Sequence, residues 1–203
     1  MAKLWADFLP LLAPHLPGCP DPSLRLYLAS TASDFFARTY LWREQISGIT
    51  VVAGTVDYDL DPDTGLVEDI ISVVYGEHTL TRTDLRLIGA EKLSETGEPR
   101  EFWVYADNSI RVFPIPEERT ALKVYAVLKP NRSGTGVEDW IYETFADTIV
   151  SGAIAQLAMI PGKEWSDVAL AGMHKSLYER AITNARIRDF RGVPRMVRQR
   201  PAA

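Results

Sequence analysis

The sequence predicts an α+β fold: a helical bundle built from the N- and C-terminal segments, with an antiparallel β-module inserted between them. Two changes in hydrophobic period carry this expectation. Apolar residues recur at three- and four-residue steps from Ala2 to Trp42 and again from Glu138 onward, as on one face of a helix. Between residues 45 and 130 the period is two, in runs rich in branched and aromatic residues bounded by Gly and Pro. The run Asn131-Arg132-Ser133-Gly134-Thr135-Gly136 is a linker by composition and marks the return to helix. The expected boundaries are 1–44 and 137–190 for the helical domain, 45–130 for the β-module and 191–203 for an extended C-terminal tail.

Taken in order, Leu4, Trp5, Phe8, Leu11 and Leu12 suggest a first helix that breaks at Pro10, because proline cannot continue the hydrogen-bond ladder. Pro17, Gly18 and Pro20 make a loop. Asp21 stands where an N-cap belongs and Pro22 where a first turn tolerates proline, so a second helix begins there and ends near Trp42. It is expected to bury Leu24, Tyr27/Leu28, Ala32, Phe35/Phe36 and Tyr40.

ITVV and TVDYDL flank Ala53-Gly54 and read as a tight hairpin. Leu66 to Tyr75 is a branched-rich strand, and Thr83 to Leu93 is a short helix capped by Thr83. EFWVY and SIRVF form a second hairpin around Ala106-Asp107-Asn108, and Ala121 to Leu128 alternates apolar and polar residues.

The segment from Glu138 to Trp165 is the longest without a helix breaker, and Pro161-Gly162 stops it. Its small residues, Ser151, Gly152, Ala153, Ala155 and Ala158, allow another helix to approach closely, within one subunit or between two. A final helix starts near Ser166 or Asp167, turns Val168, Leu170, Met173, Leu177, Ala181 and Ile182 inward, and runs to about Arg188.

Composition removes several classes of function. With 46% hydrophobic and 24% charged residues the chain is an ordinary globular one, and no apolar run approaches the roughly 20 residues needed to cross a bilayer. Asp7, Pro10 and Pro14 interrupt the segment that a signal peptide would need to be apolar. The single cysteine, Cys19, excludes an internal disulfide and a cysteine-based metal cluster, and fits synthesis in a reducing cytosol.

Catalytic, cofactor and metal signatures are missing. Asp57, Asp59, Asp61 and Asp63 have the alternating carboxylates of a calcium loop. Counted from Asp59, however, the turn glycine is displaced, Pro62 intrudes, and Ile70 stands where a bidentate glutamate belongs. A solvated hairpin end is the better reading. Ser133 to Gly136 lacks the lysine and glycine spacing of a phosphate loop and reads as a flexible hinge. His15, His78 and His174 have no second ligand or nucleophile at a telling spacing.

Charge is the strongest oddity. From Arg186 to Ala203 there are six arginines against one acid, Asp189, so this end carries +5 and the rest of the chain −10. Arg188, Arg191, Arg195, Met196, Arg198 and Arg200 are the candidate partner-binding residues. One reading is a nucleic-acid-binding module that uses the arginines on phosphates. The other is a peptide that docks on an acidic or polar groove of another protein. The second is preferred, because Phe190 is the only aromatic residue in the tail and the acidic body repels nucleic acid.

Several stretches also carry a resemblance: LPGCP at 16–20, RTYLWRE at 38–44, VVAGTVDYDL at 51–60, SGAIAQLAMIPGKEWSD at 151–167 and YERAITNARIR at 178–188. In this order and spacing the chain resembles, nearly end to end, the phage head-to-tail adaptor proteins of the tail tubular protein A type. The resemblance implies a non-enzymatic structural protein of the virion, made in the host cytoplasm and placed at the head–tail neck. It implies a ring, usually of twelve copies, between the portal protein and the tail nozzle or tail-tube protein. DNA passes through its centre without sequence-specific binding and leaves by that channel on ejection. The C-terminal segment would reach the portal. No cofactor, metal, catalytic residue or membrane contact is implied.

Overall fold

A computed structural model describes residues 2–84, 86, 94–106 and 108–190. The chain begins with strand β1 (Ala2–Leu4), a 3-10 turn (Trp5–Phe8), helix α1 (Leu9–Leu12) and a second 3-10 turn (Ala13–His15). Helix α2 (Asp21–Thr39) follows. Then come strands β2 (Trp42–Val51), β3 (Asp57–Asp59), β4 (Leu66–Tyr75), β5 (His78–Arg82), β6 (Glu101–Ala106), β7 (Ser109–Phe113) and β8 (Thr120–Lys129). Strand β9 (Gly136–Glu138) leads directly into α3 (Asp139–Leu157), and α4 (Val168–Phe190) closes the described chain. Two compact units result, one from the chain up to Leu41 together with that from Lys129 onward, the other from Trp42–Leu128.

In the first unit α2, α3 and α4 pack around an aromatic cluster. Phe35 and Phe36 meet edge to face at 5.4 Å, Phe145 lies 5.2 Å from Phe35, and Trp140 stands edge-on to Phe36 at 5.8 Å. Gly152 lets the helices close up. A Cβ there would stand 2.4 Å from Thr31 Cγ2 on α2 and 2.8 Å from the Tyr178 ring on α4, so only hydrogen fits. Gly152, Ala153, Ala155 and Ala158 are buried within the subunit, which answers where the small-residue face packs.

The glycine-rich linker is a built element instead of a hinge. The Asn131 side chain accepts from the Ser133 amide at 3.0 Å and from its hydroxyl at 2.7 Å, closing a turn. Gly136 to Glu138 then pairs antiparallel with Leu4 to Ala2. Trp5 locks the join, its Nε1–H donating to the Gly134 carbonyl at 2.7 Å. A Cβ on Gly136 would lie 2.0 Å from the Lys3 carbonyl oxygen, so the close approach of the two backbones requires glycine here. Sequence reading missed this strand because its partner lies more than a hundred residues away.

The second unit corrects the expected fold class. It is one large seven-stranded sheet, ordered β2-β8-β4-β5-β6-β7-β3 and curled into a nearly closed, barrel-like form. The protein is therefore a mixed α+β molecule, with four helices among the described residues, not a helical bundle with an inserted antiparallel β-module. The sheet has a core of its own, including Val51, Leu60, Val73, Phe102, Ile110, Leu122 and Val124, all at most 2% exposed.

Nor is the sheet all antiparallel: β5 and β6 run parallel, Thr81 beside Glu101 and Arg82 beside Phe102. A long connection between those strands brings the chain back in the same direction, as a parallel pair requires. The hairpin expected around Ala53-Gly54 also fails as a pair, since β2 pairs with β8 and β3 with β7. Hairpin signals report a local turn. Which strands then pair is decided by burying both faces and edges of the whole sheet. The helix expected at Thr83 to Leu93 falls largely outside the described residues.

Candidate partner-binding surfaces

The candidate functional surfaces are built from charged side chains and helix faces. The best-defined set holds α4 to α2. Arg38, in the last turn of α2, reaches Glu179 on α4 with Nη1 at 2.9 Å and Nη2 at 2.6 Å, a two-pronged contact that suits a guanidinium and a carboxylate. That hydrogen bonding holds the Glu179 carboxyl below its ordinary value and pushes the Arg38 guanidinium further up. Tyr178 donates its hydroxyl to Asp34 Oδ2 at 2.9 Å, and burial, then Asp34, raises the hydroxyl's pKa. Arg186 Nε–H donates to the Arg38 carbonyl at 2.9 Å and so satisfies an orphan carbonyl near the end of α2. Together these bonds fix α4 against α2.

The candidate tail residues begin where that helix ends. Arg188 lies in the last turns of α4, whereas Arg191, Arg195, Met196, Arg198 and Arg200 fall outside the described residues, as does the expected extended tail at 191–203.

Two carboxylates of the acidic run, Asp57 and Asp59 on β3, are used internally. Arg111 forks onto Asp57, with Nη2 at 2.6 Å from Oδ2 and Nε–H donating to Oδ1. This holds the Asp57 carboxyl below its usual range. Ser109 donates to Asp59 at 2.7 Å. The Arg111 guanidinium also lies 4.8 Å from the ring centre of Tyr105, which is 60% exposed, and 5.7 Å from that of buried Trp103. Among the described residues no group of three metal-ligating side chains converges.

Two of the histidines, far apart in sequence, are brought together. His15 and His174 meet edge to face with ring centres 5.5 Å apart, and His174 is buried with neither nitrogen hydrogen-bonded. Burial, then His15, lowers the His174 pKa. His78 lies elsewhere, 3.5 Å from Glu98, on an acidic cleft of about 480 Å³ also lined by Glu77, Glu117 and Glu118.

The last surface is the outer face of α4. The buried side of this helix is Ala171, His174, Tyr178, Ile182 and Ala185. The expected inward set is thus wrong for Met173 and Leu177, which are 55% and 37% exposed, and for Val168. Two stripes of comparable apolarity run along α4, and periodicity alone does not say which one the rest of the unit covers.

A family model described as SU10 adaptor protein matches residues 4–201. The chain belongs to that family. It is a phage structural adaptor protein, and the family is not an enzyme class. A search of curated proteins returned no match. Among the described residues no helix is long and apolar enough to cross a membrane.

Proposed function

We propose that this adaptor joins the portal protein to the tail at the neck of the virion, as one subunit of a ring that lines the DNA channel. The observation that carries the reading is the family match, which spans both units and the C-terminal arginines in one continuous stretch. The helical domain, 1–44 and 137–190, packs against neighbouring copies, and the strands of 45–130 serve neighbour or tail-nozzle contacts. The tail at 191–203 reaches the portal. Arg38 and Glu179 support this arrangement by tying α2 to α4, the helix that carries Arg188 and precedes Arg191, Arg195, Met196, Arg198 and Arg200 in sequence. A body at −10 suits a DNA channel, because like charge keeps the duplex from adhering as it moves during ejection.

The test is a truncation. Removing residues 188–203 leaves a folded protein, by its circular dichroism and melting temperature, that no longer binds portal rings. Wild-type protein mixed with portal gives a ring with the portal's subunit count in electron-microscopy class averages. A truncated protein that still assembles on the portal rules out the anchor.

A further inference from the structure

The outer face of α4 carries Met173, Leu177, Arg180, Asn184 and Ile187, at alternating steps of four and three residues. That spacing keeps all five on one stripe, the seam on which helices pack side by side. Met173, Leu177 and Ile187 are 55%, 37% and 44% exposed, and Arg180 and Asn184 are exposed between them. A helix face meant for water alternates charges instead of holding apolar residues in register. In the middle of the seam Arg180 makes no ion pair among the described residues.

Arg180 also constrains what can cover the stripe. A twofold pairing of α4 with α4, centred on the seam, sets Arg180 against its own copy in a drying interface, which costs more than the apolar contacts return. The seam therefore needs a different face that carries carboxylates. The same unit has one. Asp139, Glu143 and Asp147 stand at four-residue steps along the exposed side of α3, and none of them makes an ion pair among the described residues. The strand that runs into this row pairs with β1, whose Ala2 lies opposite Glu138 at the start of α3.

We propose that a second copy of the chain covers the α4 seam. Arg180 of one copy meets the Asp139, Glu143 and Asp147 row of the next, and the contact takes Met173 and Leu177 out of water. The contact is heterologous, the donor face differing from the acceptor face, and repeated contacts of this kind close into a ring. The proposal rests on the ring reading above and names the interface that makes it.

Charge reversal tests it with full-length protein. Arg180→Glu alone and the double variant Glu143→Arg, Asp147→Arg alone each set like charges against each other around the ring. Each is expected to need roughly tenfold more protein, or higher, to assemble on portal rings, with unchanged circular dichroism and melting temperature. Mixed one to one, the two variants have complementary faces at every contact and assemble again, as rings in which they alternate. Single variants that assemble like wild type, or a mixture that does not recover, overturn the interface and leave the ring reading standing. Wild-type protein that forms no ring with portal overturns both.

Discussion

Arg38 and Glu179 meet through two hydrogen bonds, at 2.9 and 2.6 Å, across 141 residues of sequence, and so tie the end of the second helix to the middle of the last. Both side chains are part-exposed, at 36% and 45%, so solvent screens the pair and its worth is modest. Glu179→Gln is expected to lower stability by about 1 kcal/mol. The pH dependence has a definite sign. The folded carboxyl titrates below its unfolded value, so its contribution is present above pH ~4.5 and fades as acid protonates Glu179. Urea midpoints from pH 3 to 6 should therefore fall less steeply on the acid side in Glu179→Gln than in wild type.

His174 works at higher pH. Its folded pKa is below the unfolded value, near 6.5, because charging it in a buried site beside His15 is unfavourable. The unfolded chain then takes up the proton first, and stability drops as pH falls through about 6.5. Melting temperatures measured at pH 7.5 and pH 5.5 are expected to differ more in wild type than in His174→Leu. Equal differences would mean that this ring pair does not set the response.

Gly152→Ala places a methyl group where Thr31 Cγ2 and the Tyr178 ring already stand. Forcing an extra carbon into such a crossing costs about 1–3 kcal/mol. Adding Thr31→Ser removes Cγ2 while keeping the hydroxyl that accepts from Gln156 Nε2 at 2.9 Å, and should recover part of the loss in urea unfolding.

Asp57 and Asp59 are occupied by Arg111 and Ser109, so millimolar calcium should leave the wild-type melting temperature unchanged. Arg111→Lys loses the fork on Asp57 and weakens the cation contact with the Tyr105 ring, and is expected to destabilise by about 1 kcal/mol despite keeping the charge. A calcium-dependent rise in melting temperature would reverse this account of the acidic run.

The arginine tail separates two classes of function by salt. A tail that docks on protein gives no retention of duplex DNA in filter binding at 0.15 M salt. A nucleic-acid arm gives an affinity that falls steeply with the logarithm of salt, with a slope near one per phosphate neutralised. A steep slope that disappears in the 188–203 deletion would replace the portal reading of the tail.

Much of this protein is legible in its sequence. The 3.6-residue period marked α2, α3 and α4, and the change to a period of two marked β4, β6, β7 and β8. Short runs such as LPGCP and SGAIAQLAMIPGKEWSD, in their order, already pointed to a phage adaptor. These are local properties, set by turn chemistry and by which residues fall on one side of an element a few residues long.

Other features needed the folded chain. The seven-strand order, the pairing of β2 with β8, the strand at Gly136 and the choice of which α4 stripe to bury all depend on residues far apart in sequence. Period alone made Met173 and Leu177 as good a core face as His174 and Tyr178. The closeness of Gly152 to Thr31 and Tyr178 turns the latter inward. Amphipathic pattern determined that these segments would be helices and strands; the fit of partners far apart in sequence, such as Thr31 against Gly152 and Tyr178, decided which face of α4 was buried.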